Sequence, residues 1–169
     1  MNTTEVSAAL ADLFTELIAG TKESAGPFVL NSGDAGLLRS IDTLTAHDAS
    51  RSVNASATVA GHAQHLRYGL SLMNRWAAEG SDPFADPKWD EAWKITAVDD
   101  RQWEKIRTGV RDESYRWLQV LKTPRQVKDA ELNGMIGSIA HVAYHLGAIR
   151  QISKAARGPR GGTFRAVPD

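Results

Sequence analysis

The chain contains no cysteine. Disulfides, CxxC redox chemistry, thiolate metal ligands and a cysteine nucleophile are therefore excluded, so any metal must sit on histidine, carboxylate or water. Neither charge is in excess: 20 Lys plus Arg face 20 Asp plus Glu, for a formal net charge of +0. With no strongly basic block along the chain, a nucleic-acid partner is not expected. No apolar run approaches the length that spans a bilayer, and Met1–Leu10 lacks the basic start and continuous apolar stretch of a signal peptide. The expectation is a soluble, cytoplasmic protein with no membrane partner. Internal repeats and strands of period two are also missing. The 169 residues suit one domain, residues 1–157, followed by a tail, 158–169, whose Gly- and Pro-containing start cannot continue a helix and which has little to bury.

What the chain does have is helical periodicity. From Thr3 or Thr4 to about Thr21, Val6, Leu10, Leu13, Phe14, Leu17 and Ile18 recur at spacings of three and four, and Gly20 ends the run. Ala25-Gly26-Pro27 opens a connector in which Phe28, Val29 and Leu30 are expected to plug the core. A short accessory helix is predicted within Asp34 to Leu44, with Leu37, Leu38, Ile41 and Leu44 on one side. Thr45 to Ser52 is polar and reads as a loop. A second main helix is predicted from about Ser56 to Ala78, capped near Ser56 or Thr58 and stopped by Gly80. Ser81 to Thr96 reads as a long connector pinned by Phe84, Trp89 and Trp93. The third main helix runs from Asp99 or Asp100 to about Leu121, burying Trp103, Ile106, Val110, Trp117, Leu118 and Leu121. Arg107 lies nearer that inner side and is expected to cover apolar surface with its stem while its head reaches water. The last helix ends near Lys154. Thr123-Pro124 and Asn133-Gly134 offer two different starts for it.

The chemistry concentrates in that last helix, in the stretch MIGSIAHVAYHLGAIRQI. His141 and His145 stand one turn apart on one face. The segment is apolar enough to point both rings inward, and Gly134, Ser138 and Ala148 leave space beside them. The second helix adds a stripe of Thr58, Gly61, His62, His65, Tyr68, Gly69, Leu72 and Trp76. Glycine inside a helix costs roughly 1 kcal/mol relative to alanine, so Gly61 and Gly69 mark either close packing or a cavity. A helical bundle with histidines on facing helices can host a metal, and three neutral imidazoles suffice for a site that keeps an open position. The competing reading is core histidines hydrogen-bonded to backbone. Spacing alone does not choose between His62 and His65 as the third ligand. Val142 follows His141 where a zinc protease would carry its glutamate base, so that class is excluded.

Together, TVAGHAQHLRYGL, a long connector, a helix opening near RQWEKI and then HVAYHLGAIRQI resemble the DinB-like/YfiT-like superfamily of metal-dependent enzymes, over about Val6 to Ile152. The resemblance implies an all-α, four-helix bundle with an up-down-down-up path, a mononuclear nickel or zinc site and frequent homodimerisation. It places the first ligand on His65 and the closing pair on His141 and His145, with His62 at a position where histidine is common but not a ligand. Many members continue from the last histidine with Arg-Gly-Gln; here Leu146, Gly147 and Ala148 stand there, with Arg150 and Gln151 just beyond. Some relatives are transferases that use a low-molecular-weight thiol such as bacillithiol, mycothiol or glutathione. Thiol-dependent transfer to a small molecule is the leading expectation. The alternatives are hydrolysis by metal-bound water and a non-catalytic metal-binding or ligand-sensing bundle. No Asp or Glu lies on the histidine stripes, which leaves Tyr68 and Ser138 as the nearest polar candidates. Leu72, Trp76, Ile149 and Ile152 are expected to form the apolar wall.

Overall fold

The structure is a computed structural model in which residues 3–22, 26–54, 56–80, 82 and 84–159 are described. It is all-helical, with no strand among those residues. The first helix, α1 (Thr3–Ala19), buries Leu10, Phe14, Leu17 and Ile18. It stops at Gly20, whose φ of +93° is one that L side chains rarely adopt. A Cβ there would strike the carbonyl of Asp34, and one on Gly36 would strike the backbone of Ala19 and Gly20. Two glycines thus let the start of α2 (Gly36–Asp42) press directly on the end of α1. Leu37, Leu38, Ile41 and Leu44 all face the core, as their periodicity predicts.

The polar stretch after α2 is not a plain loop. Ala46–Ala49 form a single turn, α3, because Thr45 accepts the Asp48 N–H while the Asp48 carboxylate accepts the Thr45 N–H. Next comes α4 (Val59–Glu79), with Thr58 as its cap, accepting from the Gly61 N–H, and Gly80 in the left-handed conformation at its end. A second one-turn helix, α5 (Asp90–Trp93), interrupts the long connector; Ser81 and Pro83 lie outside the described residues. Helix α6 (Asp100–Lys122) opens on a reciprocal cap between Asp99 and Gln102. Helix α7 (Asp129–Ile152) begins between the two starts that the sequence offers, where the Glu131 carboxylate accepts the Lys128 N–H. A 3-10 turn, Lys154–Ala156, follows it.

The four long helices share one core. Helix α1 packs on α6 and α7, α4 packs on α6 and α7, and α2 leans on α1. Trp103, Trp117, Phe14, Leu66, Leu121, Leu146 and Ile149 are fully buried at the centre. Both core indoles find acceptors: Trp103 donates to the Leu44 carbonyl and Trp117 to the Ser138 hydroxyl, so neither ring buries an unpaired N–H. No helix among the described residues is long and apolar enough to cross a membrane.

Three expectations about packing need correction. Phe28 and Val29 do not plug the core and are 67% and 51% exposed; only Leu30 packs against it. The connector is held instead through its backbone, since the Glu16 carboxylate, on a buried turn of α1, accepts the N–H groups of Phe28, Val29 and Leu30. The head of Arg107 is paired rather than solvated: it donates to the Asp42 carbonyl and to Glu104 and lies over the Trp103 ring. The apolar stretch of α7, read as inward-pointing around its histidines, also turns Ile136 and Tyr144 outward at 50% and 68% exposure.

One buried ion pair ties the end of α7 to the connector between α1 and α2. Arg150 on α7 donates from Nη1 and Nη2 to both oxygens of Asp34, at 2.9 and 2.7 Å, and from Nε to the Ala156 carbonyl. Asp34 is almost wholly buried and also accepts the Gly36 N–H. Beyond the 3-10 turn, the Pro159 carbonyl still accepts from the Asn31 side chain; residues 160–169 of the tail lie outside the described residues. Removing one partner of such a pair leaves a buried charge uncompensated, at a typical cost of about 3–5 kcal/mol. Asp34→Ala is accordingly expected to lower the denaturation midpoint sharply, which chemical unfolding followed by circular dichroism will measure. A midpoint within experimental error of the parent would mean that the pair contributes no net stability.

Candidate metal centre

Four imidazoles meet where α4 crosses α7. His65 Nε2 lies 3.1 Å from His141 Nε2, His145 Nε2 lies 2.9 Å from the same atom, and His62 Nδ1 lies 2.8 Å from His145 Nδ1. His65, His141 and His145 each offer one ring nitrogen to a group whose atoms all fall within 4.8 Å of one another, and no carboxylate belongs to it. His62 faces the outer nitrogen of His145 and stands behind the group. These are the residues that the sequence brings forward, and they converge as helical spacing requires: four residues on α7 and three on α4 each subtend about one turn.

The rings are held differently. His65 stacks on Trp93 at 4.4 Å between centroids and contacts Trp89 at 5.1 Å, while its Nδ1 is buried with no hydrogen-bond partner. His62 meets the edge of Trp93 at 5.4 Å. His141 passes close to Gly69, where a Cβ would stand 3.4 Å from its Cε1. Gly61 admits the Ala92 carbonyl of α5 at a similar distance, so close packing, not a void, explains that residue. The Thr58 hydroxyl then bonds the Ile95 carbonyl and fixes the far end of the connector. The packing of Trp89 and Trp93 on the imidazoles is the part of the site that the sequence does not announce. They are expected only as anchors of the connector, and their spacing of four is the available signal.

Burial keeps all four imidazoles neutral. The pKa of His65 is pushed down to about 4, by burial first and then by the neighbouring His141 and His62. That of His145 is pushed down to about 3, again by burial and then by His141, His62 and His65. Burial also lowers the pKa values of His62 and His141. A neutral imidazole presents a lone pair, so this cluster suits a cation.

Comparison with family models, curated proteins and solved structures gives no match. The site must therefore be read from its own residues.

Of the predicted wall, little lines a cavity. Leu72 and Ile149 are buried away from the open space, and Trp76 fills the position that a Cβ on Gly134 would occupy. The Tyr68 hydroxyl accepts the Lys88 N–H and so pins the connector. Ser138 lines the cavity, but its hydroxyl accepts from Trp117 and donates to the Met135 carbonyl. The cavity that reaches His141 is instead an apolar recess of about 310 Å³ between Gly69, Leu70 and Met73 of α4, Phe84 and Trp89 of the connector, and Gly134 and Gly137 of α7. A wider one of about 660 Å³ opens on the far side, past His62 and Trp93, and Ala148 and Ile152 line it with Asn54, Tyr144 and Gln151. Arg150 is committed to Asp34 and lines neither space.

The low pKa values set the acid behaviour of the metal-free protein. Unfolded imidazoles take up protons near pH 6.5, whereas folded His65 and His145 wait until about 4 and about 3. Between those limits the unfolded chain binds more protons, so stability falls as pH drops below about 6.5. Urea midpoints of chelator-treated protein are expected to decline from pH 7.5 to 5.5, with a shallower decline in His145→Gln. A flat profile would contradict burial of neutral rings.

Proposed function

We propose that His65, His141 and His145 hold one divalent metal, nickel or zinc, and that the protein is a metal-dependent enzyme joining a thiol cosubstrate to a small molecule. The observation that carries this reading is the convergence of three neutral imidazole nitrogens without a carboxylate. Three protein ligands are the usual complement of a site that keeps a position open, and four close it. The chain path that best accounts for the contacts is up-down-down-up. His62 and Met73 of α4 approach His145 and Gly134 of α7 in opposite order, Arg67 and Asn74 approach Gly109 and Glu113 of α6 in the same order, and α1 and α7 share both ends through Met135 and Arg150.

When bound, the ion supplies positive charge that lowers the pKa of a coordinating thiol or water. The chain's own residues do the rest. Burial keeps the ligands deprotonated at neutral pH. Trp89 and Trp93 roof His65 and exclude water from that side. The recess beside His141 offers almost no hydrogen-bonding group, since Ser138 is already bonded on both sides, so it shelters an uncharged, apolar part of the reacting molecule. A thiol is favoured over water as the nucleophile because hydrolysis needs a nearby proton acceptor, and Tyr68 and Ser138 are engaged in structural hydrogen bonds.

Metal analysis of the purified protein, followed by thiol titration of its cobalt or nickel form, tests the reading. One ion per chain and a ligand-field spectrum that responds to thiol are expected, and His141→Ala should remove most of the metal. Full stoichiometry in that variant would sink the ligand assignment. Metal-dependent cleavage of a simple ester without any spectral response to thiol would make water the nucleophile.

The recess has its own test. Gly137 lies on its edge, and no atom stands within 4 Å of where its Cβ would be. Gly137→Leu therefore starts its side chain in open space at the edge of the recess and improves helix propensity by roughly 0.8 kcal/mol. This variant should keep its metal yet bind phenylmethanethiol about tenfold more weakly, a loss equivalent to about 1.4 kcal/mol, while 2-mercaptoethanol binds as before. Equal weakening of both thiols would place the bound organic group elsewhere.

A further inference from the structure

Resting on the three-histidine reading, we infer that His62 is a positioning residue, which fixes the tautomer of His145 by accepting a hydrogen bond from its outer nitrogen. The two Nδ1 atoms are 2.8 Å apart, and both rings are at least nine-tenths buried. A neutral imidazole carries one N–H and one lone pair. Across this contact one ring must donate and the other accept, and the choice decides what His145 presents on its inner side.

If His62 donates from Nδ1, the proton of His145 sits on Nε2 and points at His141 Nε2, 2.9 Å away. No lone pair then remains for a cation. If His62 accepts, the proton of His145 sits on Nδ1, and its Nε2 lone pair joins those of His65 and His141. His62 in turn carries its own proton on Nε2, at the rim of the wider cavity that it lines with Trp93 and Gln151. No proton is gained or lost between the two arrangements; each ring moves one proton from one nitrogen to the other.

The other two rings have no such device. The outer nitrogen of His65 is buried without a partner, and that ring is oriented by stacking on Trp93. Nδ1 of His141 faces the Gly69 backbone, where a Cβ would stand 3.6 Å from it. His145 is also the most deeply buried of the three, at 2% exposure, so solvent cannot readily substitute for the lost acceptor. Outer partners of metal-binding histidines are usually carboxylates, carbonyls or water, and their loss typically weakens metal binding by about 10–100-fold. Here a neutral histidine fills that place and leaves the site without an anion.

The test compares His62→Phe, which keeps an aromatic ring against Trp93 but has no acceptor, with His62→Gln, whose side-chain oxygen can accept. Zinc affinity is measured by chelator competition, and the tautomer of His145 is read from nitrogen-15 couplings in the zinc-loaded protein. The expected result is one ion per chain throughout, an affinity loss of about 10–100-fold in His62→Phe, substantial recovery in His62→Gln, and His145 protonated on Nδ1. Wild-type affinity in His62→Phe, or His145 protonated on Nε2 in the loaded protein, overturns the assignment. Loss of stoichiometric binding in both variants overturns it too, by making His62 a ligand. Failure of the wild-type chain to take up zinc refutes the three-histidine reading itself and is distinguished by that measurement alone.

Discussion

Four histidine rings within hydrogen-bonding reach of one another cannot all carry charge, and their burial favours the neutral form of each. Removing an imidazolium from water costs free energy, and a second one 3 Å away adds repulsion that a low-dielectric interior screens poorly. Both effects act together here, which is why the shift is greatest at His145, the most buried ring with the most histidine neighbours. The tryptophans of the connector roof the cluster, and Gly61 lets the backbone that carries Trp93 come close enough to do so.

The long helices were legible because each carried both a period and a stop. Gly20, Thr58, Gly80 and Asp99 act as their residue types suggest, and the inner faces of α1 and α6 are buried as counted. The histidines were legible for the same reason, since spacings of three and four place side chains on one face whatever the tertiary context. Choosing among them was harder. His62 and His65 share a stripe, and only the actual crossing shows that His65 meets His141 while His62 meets the back of His145.

The connectors were legible only in part, because their contacts are made by backbone or across long sequence separations. Phe28 and Val29 look like core residues, yet what fixes them is a carboxylate twelve to fourteen residues earlier, gathering three successive N–H groups. A buried glutamate on an amphipathic helix is a poor sequence signal, since the same residue on the outer face would be ordinary. The apolar wall failed for a related reason. Periodicity assigns Leu72 and Ile149 to the histidine stripes within an angular tolerance of a sixth of a turn, and neighbouring helices decide which part of that arc meets a cavity and which meets core.

The glycines show how the crossing and the recess are set by one packing decision. Helix α7 lacks a side chain at Gly134, and that space receives the ring of Trp76. Two turns farther along α7, His141 lies against Gly69 of α4. Between these two points lie Gly137 and Ser138, small residues that leave the recess open without loosening either contact. A Cβ at Gly134 would meet the ring of Trp76, whereas one at Gly137 would meet no atom within 4 Å. The two positions thus differ in what a side chain would meet, the ring of Trp76 at Gly134 and open space at the edge of the recess at Gly137.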